Sequence, residues 1–404
     1  MKTGIALVRH PLTQFSYESV PADLGMWLLC HETKSQIRRT SGGAAPERIT
    51  AYEHYETNDL VDHDAARIIE TSDCRGIIAL SEVDMLRAAQ LRTHYGIPGL
   101  KYPTALRFRD KAAMKEHLRA AGHQVPSHLV VDSGLDLKKA ADTFGYPFVL
   151  KPRMGGGSIG AQIVRDASQL REVLAKGLRT NFYTPAHLEA EEFVEGDLYH
   201  VDGLVLDGAV CLLTVSRYRS DILEFSTVVS TRMVDQNTPR AREMKVFTTG
   251  VLAGLGLLER GTHSYFHCEA FATPGGPVLC EVAARPGGLG IVDQVDTYTG
   301  LSTFELLLAA TFGDKVPEPF ADTSGPLVGW VGVPKGCDPE VVRRGVPAAH
   351  LAGGRIHNTA ASGQQISSVD LDGFVLMRSH DEQELDALLG AAVARVAQEA
   401  RRAA

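Results

Sequence analysis

Two glutamates, Glu269 and Glu281, lie six residues either side of Gly275 in the run HCEAFATPGGPVLCEVAARPGGLG, residues 267–290. Apolar stretches flank Thr273-Pro274-Gly275-Gly276-Pro277, a breaker-rich turn, so the run predicts a β-hairpin. With the turn centred on Gly275 the two acids oppose each other, and strand alternation puts both on one face. Opposed residues hold their Cβ atoms roughly 4.5–5.5 Å apart. Two carboxylates so placed repel and weaken the sheet; a divalent cation between them removes that repulsion. Oxygen ligands suit Mg²⁺, which takes one or two protein carboxylates and fills its shell with substrate phosphates. The alternative is a solvated pair, each acid matched by its own Lys or Arg. Arg285-Pro286-Gly287-Gly288 sets a cation and a pliable backbone just past the second acid, which favours the metal. The opposite face, Phe266, Cys268, Ala270, Val278, Cys280 and Val282, is expected to be buried core.

A second group of residues suits an anion. Residues 148–153 read as a strand carrying Lys151, and Gly155-Gly156-Gly157-Ser158-Ile159-Gly160 follows. Glycines let backbone N–H groups approach and wrap an anion. No Gly-Lys-Ser/Thr ends the run, so it is not a P-loop. A flexible turn is the plain alternative; the lysine four residues upstream favours a phosphate clamp. Residues 161–164 resume as a strand, so the glycines form a flap between two strands. Ser216-Arg217-Tyr218-Arg219 is polar and basic: either a solvated loop or a phosphate or substrate contact.

These groups must be positioned by a chain of 404 residues, long enough for two or three domains. Its 44% hydrophobic and 22% charged residues are those of an ordinary soluble globular protein. The net charge of −8 gives no general attraction to nucleic acid or to an anionic membrane. Any phosphate site must therefore be local. Six cysteines without CxxC spacing read as reduced, buried apolar groups. Neither a cationic, apolar leader nor an apolar run near 18 residues is visible, so a cytoplasmic protein with no membrane contact is expected.

Residues 4–9 and 75–80 read as strands of an α/β unit. Ser81, with Asp84 three residues on, is expected to cap a helix over 82–95 that stops at Gly96-Ile97-Pro98-Gly99. Glu82 then sits at the carboxyl end of a strand, where open α/β sheets bind ligands. A simple charge at a helix N-terminus is the other reading. Helices are predicted over 111–121, 135–144, 166–178 and 240–255, and strands over 127–131, 161–164 and 188–196. A hairpin is predicted over 200–215 and a β-rich run over 225–233. One helix is expected over 291–313, a Pro-rich acidic loop over 314–326, strands over 327–333, 355–357 and 374–379, and a closing helix over 381–403.

The order Arg109-Asp110-Lys111, then 148–152 with Lys151, the glycine loop, residues 191–196, and Glu269…Glu281-x-x-x-Arg285-Pro-Gly-Gly resembles the ATP-grasp superfamily. Lys111 to Lys151 and Lys151 to Glu191 are each 40 residues apart. The superfamily includes biotin carboxylase, D-alanine–D-alanine ligase and the L-amino-acid ligases; the last are the members this chain resembles. The likeness covers roughly residues 1–320. It implies a mixed α/β and α+β fold: an N-terminal α/β (pre-ATP-grasp) domain over 1–98, a lid subdomain over 99–190, and a C-terminal ATP-grasp subdomain with an antiparallel sheet over 191–320. A β-rich extension with a closing helix would fill 321–404.

The resemblance also implies roles. Lys111 and Lys151 would hold the α- and β-phosphates of ATP, under Gly155, Gly156, Gly157, Ser158, Ile159 and Gly160 as a mobile lid. The backbone of Glu192 and Val194, around Phe193, would read adenine, and Glu191 its amino group. Asp197, His200 or Asp202 would meet the ribose. Glu269 and Glu281 would hold Mg²⁺ (or Mn²⁺). Arg285 would take the substrate carboxylate or its acyl phosphate and act in catalysis with Lys151. Specificity would lie near Glu82, Arg217, Tyr218, Gly287 and Gly288. The family's Glu-x-Asn at the second acid is Glu281-Val282-Ala283 here, so a second metal would lack its amide ligand.

The expected reaction is ADP-forming ligation of a small carboxylate, such as an amino acid, to an amine. The partners would be ATP and two small molecules, and a homodimer is a form the family commonly takes. The rivals are a bicarbonate-using carboxylase, for which no biotin-acceptor lysine motif or further domain is seen, and a non-catalytic ATP-binding protein.

Overall fold

A computed structural model of the chain describes residues 2–9, 19–21, 23–31, 48–178, 187–219, 228–313, 325–356 and 371–403. Strand residues expected at 225–227 and 357, and most of the 314–326 loop, lie outside these.

Strands β1 (Lys2–Val8), β2 (Leu24–His31), β3 (Ile49–Tyr52) and β4 (Cys74–Ala79) form a parallel sheet in the order β3-β2-β1-β4. Six of the seven residues of β1 (KTGIALV) are buried. A parallel strand covered on both faces needs such a near-continuous apolar run. Helices α1 (Leu60–Thr71) and α2 (Asp84–Tyr95) cover one face, around Ile5, Leu7, Leu29, Val61 and Ala88. The start of α2 differs from the sequence expectation. Ser81 Oγ donates to the Asp84 carboxylate instead of receiving a helix N–H, and the helix opens at Asp84 behind an uncapped Val83. The carboxyl ends of β1 and β4 still lead to Arg9 and Glu82, the ligand end of an open α/β sheet.

Helix α3 (Tyr102–Arg107) leads to α4 (Lys111–Ala120), capped by Asp110, whose carboxylate accepts from the N–H groups of Ala112 and Ala113. Then come β5 (His128–Val131), α5 (Gly134–Phe144), β6 (Phe148–Pro152), β7 (Gln162–Val164), α6 (Ala167–Lys176) and β8 (Leu188–Glu192). They build an antiparallel sheet, β5-β8-β6-β7, on a small core of Val131, Leu137, Phe148, Leu150 and Ala190. The glycine loop joins its neighbouring strands β6 and β7.

The third sheet is the largest. It takes β9 (Asp197–Leu206), β10 (Ala209–Tyr218) and β11 (Ser230–Met233), then α7 (Pro239–Leu255), then β12 (Ser264–Thr273) and β13 (Gly276–Ala283). Helices α8 (Ile291–Thr299) and α9 (Thr303–Phe312) follow, then β14 (Leu327–Val333), α10 (Pro339–Arg343), β15 (Leu351–Ile356), β16 (Gly373–Ser379) and α11 (Glu382–Ala403). The antiparallel order is β13-β12-β9-β10-β11-β14-β16-β15, so the C-terminal strands continue the sheet that carries the hairpin. Asp207 and Gly208, at φ 49° and 77°, turn β9 into β10, a pair of positive φ values that suits a two-residue hairpin. Among the described residues no helix is long and apolar enough to cross a membrane.

The single helix expected over 291–313 is two. Gly300, at φ 69°, ends α8, and Ser302 caps α9. Asp296 fastens the corner: its Oδ1 accepts from Thr303 N (3.1 Å) and Thr303 Oγ1 (2.7 Å). Burial pushes its carboxyl up to about 6 although the Thr303 bonds pull the other way. A carboxyl raised on folding lends stability that is full below its ordinary value and lost as pH rises through about 6. Asp296→Asn keeps the accepting oxygen and removes the charge. It is expected to stabilise the protein at pH 8 by about 1–3 kcal/mol and by roughly a third of that at pH 4.5. Thermal melts of both proteins at the two pH values check this; equal melts at pH 8 would refute it.

Candidate active site

The turn of the β12–β13 hairpin is Pro274-Gly275, with Thr273 paired to Gly276, which takes φ 106°. Counting from this turn alone would set Glu269 against Cys280. A one-residue bulge at Cys280 shifts the ladder, so Ala270 faces Leu279 while Glu269 faces Glu281. The bulge corrects the expected core face. Leu279 and Val282 join Phe266, Cys268 and Ala270 in the core, whereas Val278 is only half-buried and Cys280 lines a cavity.

That cavity, about 500 Å³, lies between the small sheet and the hairpin end of the large one. Its volume suits a small-molecule ligand. Glu269, Glu281, Lys111 and Lys151 line it, as do Gly155, Gly156, Ser158 and Ile159 of the loop. Glu191, Glu192, Phe193, Val194 and Asp197 form another wall, and Arg217, Tyr218 and Arg219 a third. Ser216 to Tyr218 therefore end strand β10 and are not a solvated loop. Asp197, more than half exposed at the rim, pairs with Arg217 Nη2 at 2.7 Å.

Lys111 Nζ lies 3.0 Å from Glu281 and donates to Gly155 O at 2.7 Å. Burial works against charge on Glu281, but Lys111 and Lys151 outweigh it and bring its carboxyl down to about 2. Lys151 Nζ lies 2.6 Å from Glu191 Oε1. Burial opposes its charge too, and Glu191 and its acidic neighbours hold its pKa above the ordinary lysine value. Glu191 is shared: Lys115 Nζ sits 2.8 Å from its second oxygen and 2.5 Å from Glu189. Lys115 and Glu189 are fully buried beneath the cavity, and sequence reasoning missed both.

Glu269 has its own partners. Tyr218 OH donates to its Oε1 at 2.7 Å, and His267 Nε2 lies 3.3 Å from the same oxygen. Burial and Glu269 raise the Tyr218 phenol well above its ordinary value, so it remains a donor. Burial pulls His267 down, but Asp202 and Glu269 on its two sides carry it up to about 10. His200 and Asp202, expected near the ribose, do not line the cavity. Both are buried on the same sheet face as Glu269, His200 opposite Glu269 and Asp202 opposite His267, with their side chains packed against His267 of β12 and Thr231 of β11. His200 Nδ1 meets Asp202 Oδ2 at 2.5 Å, His267 Nδ1 meets Asp202 Oδ1 at 2.7 Å, and His200 Nε2 meets Thr231 Oγ1.

Arg285 ion-pairs through Nε with Glu82 Oε2, and Arg109 Nη1 takes Glu82 Oε1 at 2.5 Å. Burial works against charge on Glu82, but Arg285, Arg109 and Lys111 win and hold its carboxyl below the usual range. Arg109 also donates to Met154 O, and Gly156 packs so close that an added Cβ would lie 3.1 Å from Glu82 Cγ. The glycine loop is thus joined to both arginines through Glu82. Gly157, Gly287 and Gly288 do not line the cavity. Gly287 lies against Asp202, where a Cβ would come 2.9 Å from Oδ1.

Two opposed carboxylates on one wall, hard oxygen donors both, fit a divalent cation. Ala283 stands opposite His267 and offers no third ligand atom.

Residues 110–207 match the family described as carbamoyl-phosphate synthase L chain, ATP binding domain. The L-arginine-specific L-amino acid ligase of Bacillus subtilis is 27% identical over 233 residues, 57% of this chain and 55% of that one. Alanine–anticapsin ligase of Bacillus subtilis is 22% identical over 282 residues, 63% of this chain and 58% of that one. The chain spans about half the length of the relatives it matches. The crystal structure of an L-amino acid ligase from Bacillus licheniformis superposes with a TM-score of 0.72, covering 96% of both chains at 20% identity. That of an ADP complex of purK, an N5-carboxyaminoimidazole ribonucleotide synthetase, superposes with 0.71, covering 99% of this chain and 97% of that one at 16% identity. The domain matched over residues 110–207, the shared fold and the sequence likeness agree: the chain has the fold of the L-amino acid ligase structure and is similar to the L-amino-acid ligases.

Proposed function

We propose that the protein is an ATP-dependent, ADP-forming carboxylate–amine ligase acting on amino acids or a related small carboxylate. One observation carries the reading: Glu269 and Glu281 oppose each other on the wall of a cavity that also holds Lys111, Lys151 and the glycine loop. Lys111 and Lys151 act as point charges toward phosphate oxygens. Lys111 exchanges its contact with Glu281 for phosphate, while Lys151 stays anchored by Glu191. The wall from Glu192 to Val194 takes the base, and Asp197 at the rim is the remaining candidate for the ribose.

Mg²⁺ or Mn²⁺ held by Glu269 and Glu281 would neutralise charge on the transferring phosphoryl group. The acid substrate's oxygen attacks the γ-phosphorus; the new O–P bond forms as the bond to ADP breaks. The amine nitrogen then attacks the acyl carbon, phosphate leaves with the C–O electron pair, and the nitrogen loses a proton. Arg285, released from Glu82, faces the acyl phosphate and the oxyanion of this second step. The loop, tied to Arg109 and Lys111, keeps water from the labile acyl phosphate.

Incubation with ATP, Mg²⁺ and paired amino acids tests this. ADP, phosphate and an amide are expected in equal amounts. AMP with pyrophosphate, or ATP turnover that needs bicarbonate and no amine, would overturn it.

A further inference from the structure

We infer that His267 and Tyr218 are positioning residues that hold one oxygen of Glu269 so that the other is turned toward the divalent cation, with Asp202 and His200 bracing His267 instead of forming a metal centre of their own. The inference rests on the reading above in one respect: Glu269 is taken as a metal ligand.

Three observations carry it. First, the donors that reach Glu269 converge on a single oxygen. Tyr218 OH and His267 Nε2 both meet Oε1, at 2.7 and 3.3 Å. A glutamate opposed across the ladder by Glu281 is pushed away from it by like charge. Two donors on one oxygen resist that push and fix the plane of the carboxylate.

Second, the donors are themselves immobilised. His267 is gripped at its far nitrogen by Asp202 Oδ1 at 2.7 Å, and Asp202 Oδ2 by His200 Nδ1. His200 Nε2 is held by Thr231 Oγ1, which donates to Arg217 O at 3.0 Å. The His200 ring centroid lies 4.7 Å from that of Tyr218 and 5.8 Å from that of His267. One imidazole therefore packs against both donors of Glu269. Gly287 closes the far side against Asp202.

Third, the same cluster could be mistaken for a metal centre. One ligand atom each of His200, Asp202 and His267 lies within 4.8 Å of the others, and all three residues are buried. Yet all four ring nitrogens already face hydrogen-bond partners, two of them outside the cluster: Glu269 and Thr231. Coordination would turn His267 away from Glu269. Hydrogen bonds that orient metal-ligating carboxylates matter in proportion: their loss typically weakens metal affinity about 10- to 100-fold.

The test is Mn²⁺ binding to the ADP-loaded protein, followed by electron paramagnetic resonance, beside ADP binding without metal. His267→Leu is expected to weaken Mn²⁺ about 10- to 100-fold with metal-free ADP affinity unchanged, and Tyr218→Phe to weaken Mn²⁺ about tenfold. His267→Gln, which keeps an N–H on a side chain of similar reach, should recover most of the loss. Glu269→Gln should weaken Mn²⁺ at least as much as His267→Leu. If Glu269→Gln binds Mn²⁺ as wild type does, the underlying reading fails. If Glu269→Gln loses the metal while His267→Leu and Tyr218→Phe keep it, the present inference alone fails. Should His267→Leu not fold, wild-type Mn²⁺ affinity in Tyr218→Phe overturns it. Stoichiometric zinc in the purified protein, lost on His200→Gln, would overturn it as well.

Discussion

Glu281→Gln is expected to lower ATP turnover by about 10³-fold, equivalent to about 4 kcal/mol of barrier, while leaving the protein folded. The side chain keeps its length and loses only its charge, in a place where charge is the function. Glu281 stands 3.0 Å from Lys111 and opposite Glu269. Its carboxyl is held down at about 2, so it is ionised through the whole working range. A carboxyl depressed on folding contributes stability that is full above its ordinary value and lost as pH falls through about 2. The substitution should therefore also destabilise the protein at pH 7, by about 1–3 kcal/mol. That figure is smaller than the barrier effect and is removed by assaying well below the melting temperature. Nucleotide binding separates the two roles further. Freed from Glu281, Lys111 is available to phosphate, so metal-free ADP should bind as tightly as before or more tightly. Turnover within tenfold of wild type would end the proposed chemistry.

The register that places Glu281 was legible in the sequence only through two errors that cancel. A turn centred on Gly275 predicts Glu269 opposite Glu281. The true turn is half a residue earlier, and the bulge at Cys280 restores the pairing. Composition marks the breakers at 273–277 but gives no count of how many residues a bulge absorbs. The mistake surfaces one residue away, where Cys280 faces the cavity and Leu279 the core. Strands β1 and β4, the glycine flap and the lysines were legible because each combines local pattern with punctuation. The break between α8 and α9 was not, because apolar spacing runs across Gly300 as if it were one helix.

What stayed hidden is mostly polar and buried. Lys115 shares the stripe of α4 with Lys111, Met114 and Leu118, all buried, and a lysine on an apolar stripe is the signal that could have exposed it. Its partners lie 74 and 76 residues further along the chain, a distance local pattern cannot bridge. His200 and Asp202 were placed near the ribose by resemblance; they share the sheet face of Glu269, but their side chains are buried against each other, His267 and Thr231 and do not line the cavity. Glu82 was singled out correctly as a residue at a strand's carboxyl end, but its two arginine partners come from different parts of the chain.

Lys115→Met should be the most damaging change to stability among these residues, at about 3–5 kcal/mol. The buried group beneath the cavity holds two ammonium ions, Lys115 and Lys151, and two carboxylates, Glu189 and Glu191. Lys115 is 1% exposed and Glu189 0%, so water screens neither. Glu189 Oε2 already lacks a hydrogen-bond partner among the described residues, so the acid has nothing in reserve. Methionine fills the space of the lysine stem and isolates the electrostatic loss from a packing loss. One ammonium would then face two carboxylates, with Lys151 4.0 Å from Glu189 and 2.6 Å from Glu191. Adding Glu189→Gln restores the balance of one cation to one anion, so the double variant should recover at least half of the lost stability. A double-mutant cycle on denaturation midpoints measures that coupling. Additive losses would show that the group is held by packing rather than by charge. Nucleotide affinity should not recover in step. Glu191 lines the cavity, and with Lys115 gone it is held by Lys151 alone, so a lysine meant for phosphate stays committed to protein. The double variant is therefore expected to be folded yet weaker for ADP than wild type, which ties the buried cation to the site above it.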